Sequence, residues 1–420
     1  MKIYRKKYID KILTKIDIEK VFLLVWARQV GKTTILNILN DELSKQYKTL
    51  YFNLEDIFGI DFKTKKDFVN YFNFEYGFDF YKEGVLFLDE VQYLQNPESL
   101  LKSLYDDKDI KTKIIATWSR FWGQKKVWSS LIWRWEIINI YPLDFFEFLQ
   151  FKWKNPDIFE NIQDIDENSY KFLESYIKEY KEYWWYPAVV LSKTRETKEN
   201  ELKKIIDRTI EKDLAYFMKT DDIIDFKKVF QFIALNIKNI IKIDAIAQEF
   251  GISRYKVKQF IKFLEDSFLI HSCYPYYTDK SYEYNKHSEI FFNDLWFLNY
   301  ICWSFNIWNI NENFVFLELL KSGNTKEINY YHKKNWSEID FIVTNRQSKL
   351  IPIEVKSTDK DNIPSIFKSF YEDYQDKINF FVVITKSYFN IRKIKDKKVV
   401  FVPSFMIKKI ISPRQNPSVE

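Results

Sequence analysis

Val21-Phe22-Leu23-Leu24-Val25-Trp26-Ala27-Arg28-Gln29-Val30-Gly31-Lys32-Thr33-Thr34 is the stretch whose reading decides the fold. Residues 21–25 form a continuous apolar, β-branched run, the pattern of a parallel strand buried on both faces. Residues from Thr33 to Leu43 read as a helix. Strand, short loop and helix in this order form the context of a phosphate-cradling Walker A loop. In such a loop, backbone N–H groups and the helix N-terminus face the phosphate oxygens. Trp26, Ala27, Arg28, Gln29, Val30, Gly31, Lys32, Thr33 and Thr34 are therefore the candidate nucleotide-binding residues. Lys32 would bring charge to the β and γ phosphates, and the Thr33 hydroxyl would ligate Mg²⁺.

A second buried run, Val85-Leu86-Phe87-Leu88, ends in Asp89-Glu90. Asp89 would hold the metal, and Glu90 would polarise the attacking water. Thr49–Leu54 and Lys113–Thr117 read as two further strands. Strands alternating with helical stretches predict a doubly wound α/β sheet. Thr117 and Ser119, at the end of the fourth strand, are placed to position a water beside the γ phosphate. Arg134 reads as an arginine finger reaching a neighbouring subunit, which would make the protein a homo-oligomer. The competing reading of Arg134 is an ordinary surface or domain-contact arginine.

Three segments together resemble a prokaryotic AAA-type P-loop ATPase family: Arg28–Thr34, Leu88-Asp89-Glu90-Val91-Gln92 and Ile140–Phe148. Members of that family pair an ATPase domain with a C-terminal nuclease-like domain of unknown function. The resemblance implies ATP and Mg²⁺ as cofactors and ATP hydrolysis as the activity. Residues 1–160 are then the AAA-type domain, 161–282 a helical and winged-helix-like middle, and 283–412 the C-terminal domain. In the middle segment, Ile243–Ser253 reads as the first half of a helix-turn-helix with Gly251 at its turn. Lys256, Lys258 and Lys262 on the second helix would meet phosphates, or would simply solvate a helix face.

From about residue 286 strands recur, at Glu327–His332, Glu338–Val343, Leu350–Val355, Phe380–Ile384 and Val399–Val402. On a strand, alternate residues share a face. Glu338 pairs in this way with Asp340, and Glu354 with Lys356, while Ile339, Phe341, Ile353 and Val355 face a core. Two carboxylates and a lysine on neighbouring strands resemble the PD-(D/E)XK nuclease site. There Asp340 and Glu354 would bind Mg²⁺, Lys356 would neutralise charge or help generate hydroxide, and Glu318 would be an additional metal-binding acid. DNA or RNA is the partner implied. The alternative is a signalling ATPase whose C-terminal domain is an inactive partner-binding module.

The chain has 420 residues, 46% of them hydrophobic, enough for two to four domains. No apolar run approaches the ~20 residues needed to span a bilayer. The two cysteines, Cys273 and Cys302, lie far apart and outline no disulfide framework or zinc site. These features point to a cytoplasmic protein without a membrane partner. The net charge of +6 permits nucleic-acid binding without requiring it.

Glycine is scarce at 7 residues and tryptophan plentiful at 13. Several tryptophans stand where a turn favours glycine. Trp26 opens the phosphate loop, Trp118 follows Thr117, Trp133 precedes Arg134, and Trp184-Trp185 precedes Tyr186-Pro187. Trp296, Trp303 and Trp336 occupy comparable places, whereas Trp122 and Trp135 read as genuine. Some bacterial lineages with AT-rich genomes read UGA as glycine, and translation with another code writes tryptophan at those codons.

Overall fold

The computed structural model describes residues 4–17, 21–25, 29–56, 62–119, 134–155, 167–183, 186–207, 218, 220–237, 240–277, 288–293, 307–333, 337–356 and 358–411. The chain divides into two compact units. One is built from residues up to Leu143 with Tyr186–Ala188 and Asp266–Phe268, the other from the remainder.

The first unit contains strands β1 (Val21–Val25), β2 (Lys48–Asn53), β3 (Gly84–Asp89), β4 (Lys113–Trp118) and β5 (Trp135–Asn139). Its helices are α1 (Lys6–Leu13), α2 (Lys32–Leu43), α3 (Lys65–Tyr76) and α4 (Pro97–Asp106). All strand pairs are parallel, in the order β2-β3-β4-β1-β5. β1 and β3 are buried along their whole length, as helices on both faces of a parallel sheet require. β4 lies between them, so the acid pair after β3 and the loop after β1 converge on the end of β4. That is the carboxyl edge, where chain direction in open α/β sheets leaves a ligand crevice. Aromatic residues on and around α3 fill one face: Phe68, Phe72, Phe78 and Phe80 are fully buried among Val21, Leu86 and Ala116. β5 lacks a clear sequence signal because it is an edge strand: Glu136 interrupts its apolar run and is held outward by Lys11 and Lys15, both at 2.9 Å.

The second unit opens with α5 (Phe145–Phe151) and α6 (Glu167–Tyr183). α7 (Arg195–Asp207), α8 (Thr220–Leu235), α9 (Ile243–Phe250) and α10 (Arg254–Asp266) follow. α9 ends at Gly251, whose φ of +64° supplies the left-handed residue needed to turn into α10. Strands β6 (Ile270–Pro275), β7 (Glu289–Phe292), β8 (Thr325–His332), β9 (Glu338–Asn345), β10 (Leu350–Val355), β11 (Phe381–Thr385), β12 (Asn390–Ile394) and β13 (Lys397–Pro403) form one sheet ordered β12-β13-β11-β10-β9-β8-β6-β7. α11 (Ile307–Leu320), α12 (Ser365–Tyr374) and α13 (Ile407–Ile411) complete it. Residues 270–275 read as the tail of a helical unit, yet they form β6, a partly covered strand paired with β7 and β8. β10, β11 and β13 are parallel, with Val355 beside Ile384 and Thr385 beside Pro403, so their carboxyl ends share one edge.

Trp153 has φ +59° and is 63% exposed. It stands just past α5. Its N–H bonds the Gln150 carbonyl at 2.9 Å, and the Lys154 N–H bonds the Leu149 carbonyl at 2.9 Å. This is a Schellman-type ending, whose left-handed position ordinarily takes glycine. Trp118 lies differently, in an ordinary strand position paired with Val25 and buried. Trp26, Trp122, Trp133, Trp184, Trp185, Trp296, Trp303 and Trp336 lie outside the described residues.

Candidate functional site

Two clusters of chemistry-bearing residues stand at strand ends, one in each unit. In the first, the chain leaves β1 and enters α2 through Gln29 at φ +62° and Gly31 at φ +96°. Left-handed residues here turn successive N–H groups to one side, as an anion-binding loop requires. Trp26, Ala27 and Arg28 lie outside the described residues. Lys32 is buried at the first position of α2. Behind the loop, the buried Arg5 guanidinium donates to the Val30 carbonyl and to the Tyr141 carbonyl, each at 2.9 Å. Arg5 braces the loop from the rear, and no motif in the sequence marks it.

Asp89 is the hub. Its Oδ2 accepts from the Thr33 hydroxyl at 2.7 Å and the Tyr51 hydroxyl at 2.9 Å, and its Oδ1 accepts from the Thr117 hydroxyl. Tyr51 comes from β2, which pairs with β3, and burial together with the Asp89 charge pushes its phenol far above the usual range. A hydroxyl and a carboxylate already in contact are the hard oxygen donors that Mg²⁺ takes alongside phosphates. Thr33 and Asp89 thus fit the metal ascribed to them.

Glu90 has φ +58°. Its N–H donates to Thr117 Oγ1 at 2.8 Å. Ser119 Oγ donates to Glu90 Oε1 at 2.7 Å, Gln92 Nε2 donates to Glu90 Oε2, and the Ser119 N–H donates to Gln92 Oε1 at 3.2 Å. Glu90, Gln92 and Ser119 therefore form a closed ring that fixes the carboxylate at the edge of the sheet. Thr117 links the two acids. Arg134 stands just before β5 and pairs with Asp106 at 2.8 Å.

The second cluster lies on β9 and β10. These strands are antiparallel with Ile353 opposite Phe341, and one step further the register sets Glu354 opposite Asp340. Both are buried. Asp340 Oδ2 accepts the Val355 N–H at 2.7 Å, and Glu354 Oε1 accepts from Lys356 at 2.6 Å. Glu354 Oε2 is buried without a partner. Burial, and then the Asp340 charge, raise the Glu354 carboxyl to about 7. Two carboxylates this close, one with an orphaned oxygen, form a donor set that a divalent cation would relieve. Glu318 is fully buried on α11; its Oε1 accepts from Tyr180 at 2.7 Å and Lys321 at 3.0 Å, and its Oε2 is also buried without a partner. Among the described residues, no three of His, Cys, Asp or Glu converge to hold a metal.

On α10, Lys256 is neutralised by Asp222 and Asp225, each at 2.7 Å, whereas Lys258 and Lys262 are exposed. No described helix is long and apolar enough to cross a membrane.

Residues 19–149 match the model of an AAA domain. Residues 174–303 and 309–405 match two domains of unknown function, DUF8612 and DUF4143. The chain is 26% identical over 378 residues to an uncharacterized protein of Methanocaldococcus jannaschii, covering 87% of this chain and 82% of that protein. It is 23% identical over 424 residues to one from Haemophilus influenzae, covering 96% and 98%. Among solved structures it is similar to a Walker-type ATPase of Pyrococcus abyssi, at 13% identity and TM-score 0.43, covering 71% of this chain and 95% of that one. It is also similar to the RuvB Holliday junction branch migration motor of Thermotoga maritima, at 17% identity and TM-score 0.30, covering 66% and 92%. Likeness at these scores carries no functional argument. The AAA match, together with the parallel sheet, identifies the first unit as an AAA-type α/β domain.

Proposed function

We propose that the chain is an ATP-hydrolysing AAA-type enzyme that acts on nucleic acid, with a metal-dependent nuclease-like centre at Asp340 and Glu354. The observation that carries the ATPase half is the convergence of Thr33, Thr117 and Tyr51 on Asp89, beside Lys32 at the head of α2. Lys32 neutralises charge on the β and γ phosphates, and Thr33 with Asp89 holds Mg²⁺, which offsets the charge that develops in phosphoryl transfer. Glu90, oriented by Ser119 and Gln92, accepts hydrogen bonding from the attacking water. Arg134 acts across a subunit boundary once its pairing with Asp106 is released.

The nuclease half rests on Glu354, whose Oε2 has no partner and whose neighbour across the sheet is a second carboxylate. With a divalent cation bound there, water would be activated against a phosphodiester. Lys356 is hydrogen-bonded to Glu354 and stands ready to stabilise charge. α9 and α10, read as part of a winged helix, offer Lys258 and Lys262 to a phosphate backbone. The alternative, a signalling ATPase with an inactive partner-binding C-terminal domain, is favoured by the diversion of Glu318 to Lys321 and of Lys256 to two aspartates.

One experiment separates the readings. Purified protein is incubated with ATP, Mg²⁺ and a panel of single- and double-stranded DNA and RNA, and phosphate release and strand cleavage are followed together. Stimulated ATP hydrolysis and cleavage lost in Asp340→Ala are the expected results. ATP turnover indifferent to every nucleic acid, with no cleavage, would favour the signalling reading.

A further inference from the structure

The second unit contains a cavity of about 260 Å³ at the carboxyl edge of its three parallel strands. Val355 and Lys356 follow from β10, Ile384, Thr385 and Lys386 from β11, and Ser404 and Phe405 from the turn after β13. α6 closes it with Tyr170, Ile177 and Lys181, and Asn311 of α11 adds an amide. Three lysines line the cavity, and no carboxylate does so among the described residues. Hydroxyls and an amide supply the remaining polar wall. Tyr170 and Phe405, with ring centroids 6.4 Å apart, supply an aromatic one.

Lys181 is the least expected of these residues. Its ammonium donates to Asn311 Oδ1 at 3.0 Å and lies 4.9 Å from the centre of the Phe314 ring. Among the described residues no carboxylate pairs with it. Lys181 is half-buried, and burial lowers its pKa to about 8. A crowded ammonium held by one hydrogen bond and one ring contact, lining a cavity with two more lysines, is stabilised by an anion. The volume is below the ~300–1,000 Å³ of sites for drug-sized ligands, so it suits a phosphate with part of its sugar better than a whole cofactor. Cationic walls beside aromatic rings are also what single-stranded nucleic acid takes.

We propose that this cavity seats a backbone phosphate of a nucleic-acid strand, with Lys181 as its principal binding residue and Lys386 and Thr385 as the opposite wall. This placement rests on the reading of Asp340 and Glu354 as a nuclease-like centre, because Lys356 belongs to both, bonding Glu354 and lining the cavity. The seated phosphate is a neighbour of the one cleaved, so the cavity fixes the register of the strand across the carboxylates. The helix that supplies Lys181 precedes the three parallel strands by more than a hundred residues, which explains why no local motif announces it.

The test measures binding and cleavage separately, on the full chain without ATP. Binding of a fluorescein-labelled single-stranded oligonucleotide is followed by anisotropy in EDTA over a series of salt concentrations. Lys181→Gln is expected to weaken binding about tenfold and to make the salt slope shallower by about 0.7. Lys181→Arg, which keeps the charge, is expected to retain most of the affinity. Unchanged affinity and slope in Lys181→Gln would overturn the proposal. Should that variant fail to fold, Lys386→Gln decides: a shallower slope supports the site and an unchanged one overturns it. Inorganic phosphate is the competing probe. Displacement of the oligonucleotide by equimolar phosphate would show a free-anion site and overturn the assignment to a strand. Cleavage is assayed apart, with Mg²⁺ or Mn²⁺. If no cleavage is found while Lys181→Gln still loses binding, the nuclease reading fails and the phosphate seat stands.

Discussion

Asp89 and Glu354 both stand near the carboxyl end of a buried strand, and they are satisfied in opposite ways. Asp89 is surrounded by three hydroxyls that donate to it, so its negative charge is solvated by the protein itself. Glu354 faces another carboxylate, receives one lysine, and leaves an oxygen buried without a donor. The first acid is at rest without a ligand, and metal binding there would exchange hydrogen bonds for coordination. The second is frustrated until a cation or a proton arrives. Two acidic sites on similar sheet edges can thus differ in whether the fold or the ligand completes them.

Losing the phosphate-facing charge should have the largest effect. Lys32→Ala is expected to reduce ATP hydrolysis by at least about a hundredfold, and Glu90→Gln to keep nucleotide binding while lowering turnover by about 10²–10⁴-fold. Steady-state phosphate release and nucleotide-binding titrations check both. Wild-type turnover in Lys32→Ala would remove this loop from the chemistry.

The contrast between the two acids predicts stability changes of opposite sign. Asp89→Asn replaces a carboxylate that accepts three hydroxyl donors, and should destabilise the protein by about 1–3 kcal/mol in urea unfolding. Glu354→Gln removes a buried charge beside Asp340 and should be neutral or stabilising at pH 8 in EDTA. The Glu354 carboxyl, raised to about 7, is protonated in the folded chain and ionised in the unfolded one between pH 4.5 and 7. Its contribution to stability is therefore complete below pH 4.5 and is lost as pH rises from there through 7, on the order of 3 kcal/mol in all. Comparing wild type with Glu354→Gln at pH 5 and pH 8 isolates it. Equal pH dependence in the two proteins would show that the carboxylates are not coupled as described.

A smaller effect is expected at Trp153. A non-glycine residue in the left-handed region costs about 1 kcal/mol, and this indole recovers little by burial. Trp153→Gly should raise the thermal midpoint slightly. Peptide mass spectrometry of protein from the native host should find glycine at this position if the codon is read as glycine, and tryptophan there would end that account.

The candidate nucleotide site was legible because its residues are contiguous. Lys32 and Thr33 follow one buried strand and Asp89 and Glu90 close another, so strand order alone brings them near each other. Arg5 and Tyr51 were not legible. Each reaches the site through a long-range approach that leaves no spacing to read. The same holds in the second unit. Asp340 and Glu354 could be paired from strand alternation, whereas Lys181 depends on a helix from far upstream. β5 and β6 were missed because edge and half-covered strands lack the continuous apolar run that marks β1 and β3.

The way α5 is anchored has a consequence for synthesis. Its capping Asp144 bonds Lys408, and Phe145 packs on Phe405 with ring centroids 5.2 Å apart. Asn324 similarly donates to the Ile411 carbonyl at 2.7 Å. The five-stranded sheet has all its strands by Asn139, but the helix that begins six residues later waits for partners some 260 positions downstream. On the ribosome, the first sheet can close while α5 and α6 still lack their core, and hydrophobic surface stays open to chaperones until residues 404–411 emerge. Nascent chains arrested after residue 200 should protect the first sheet from protease and leave α5 and α6 cleavable. Chains arrested with residue 411 well outside the tunnel should protect both.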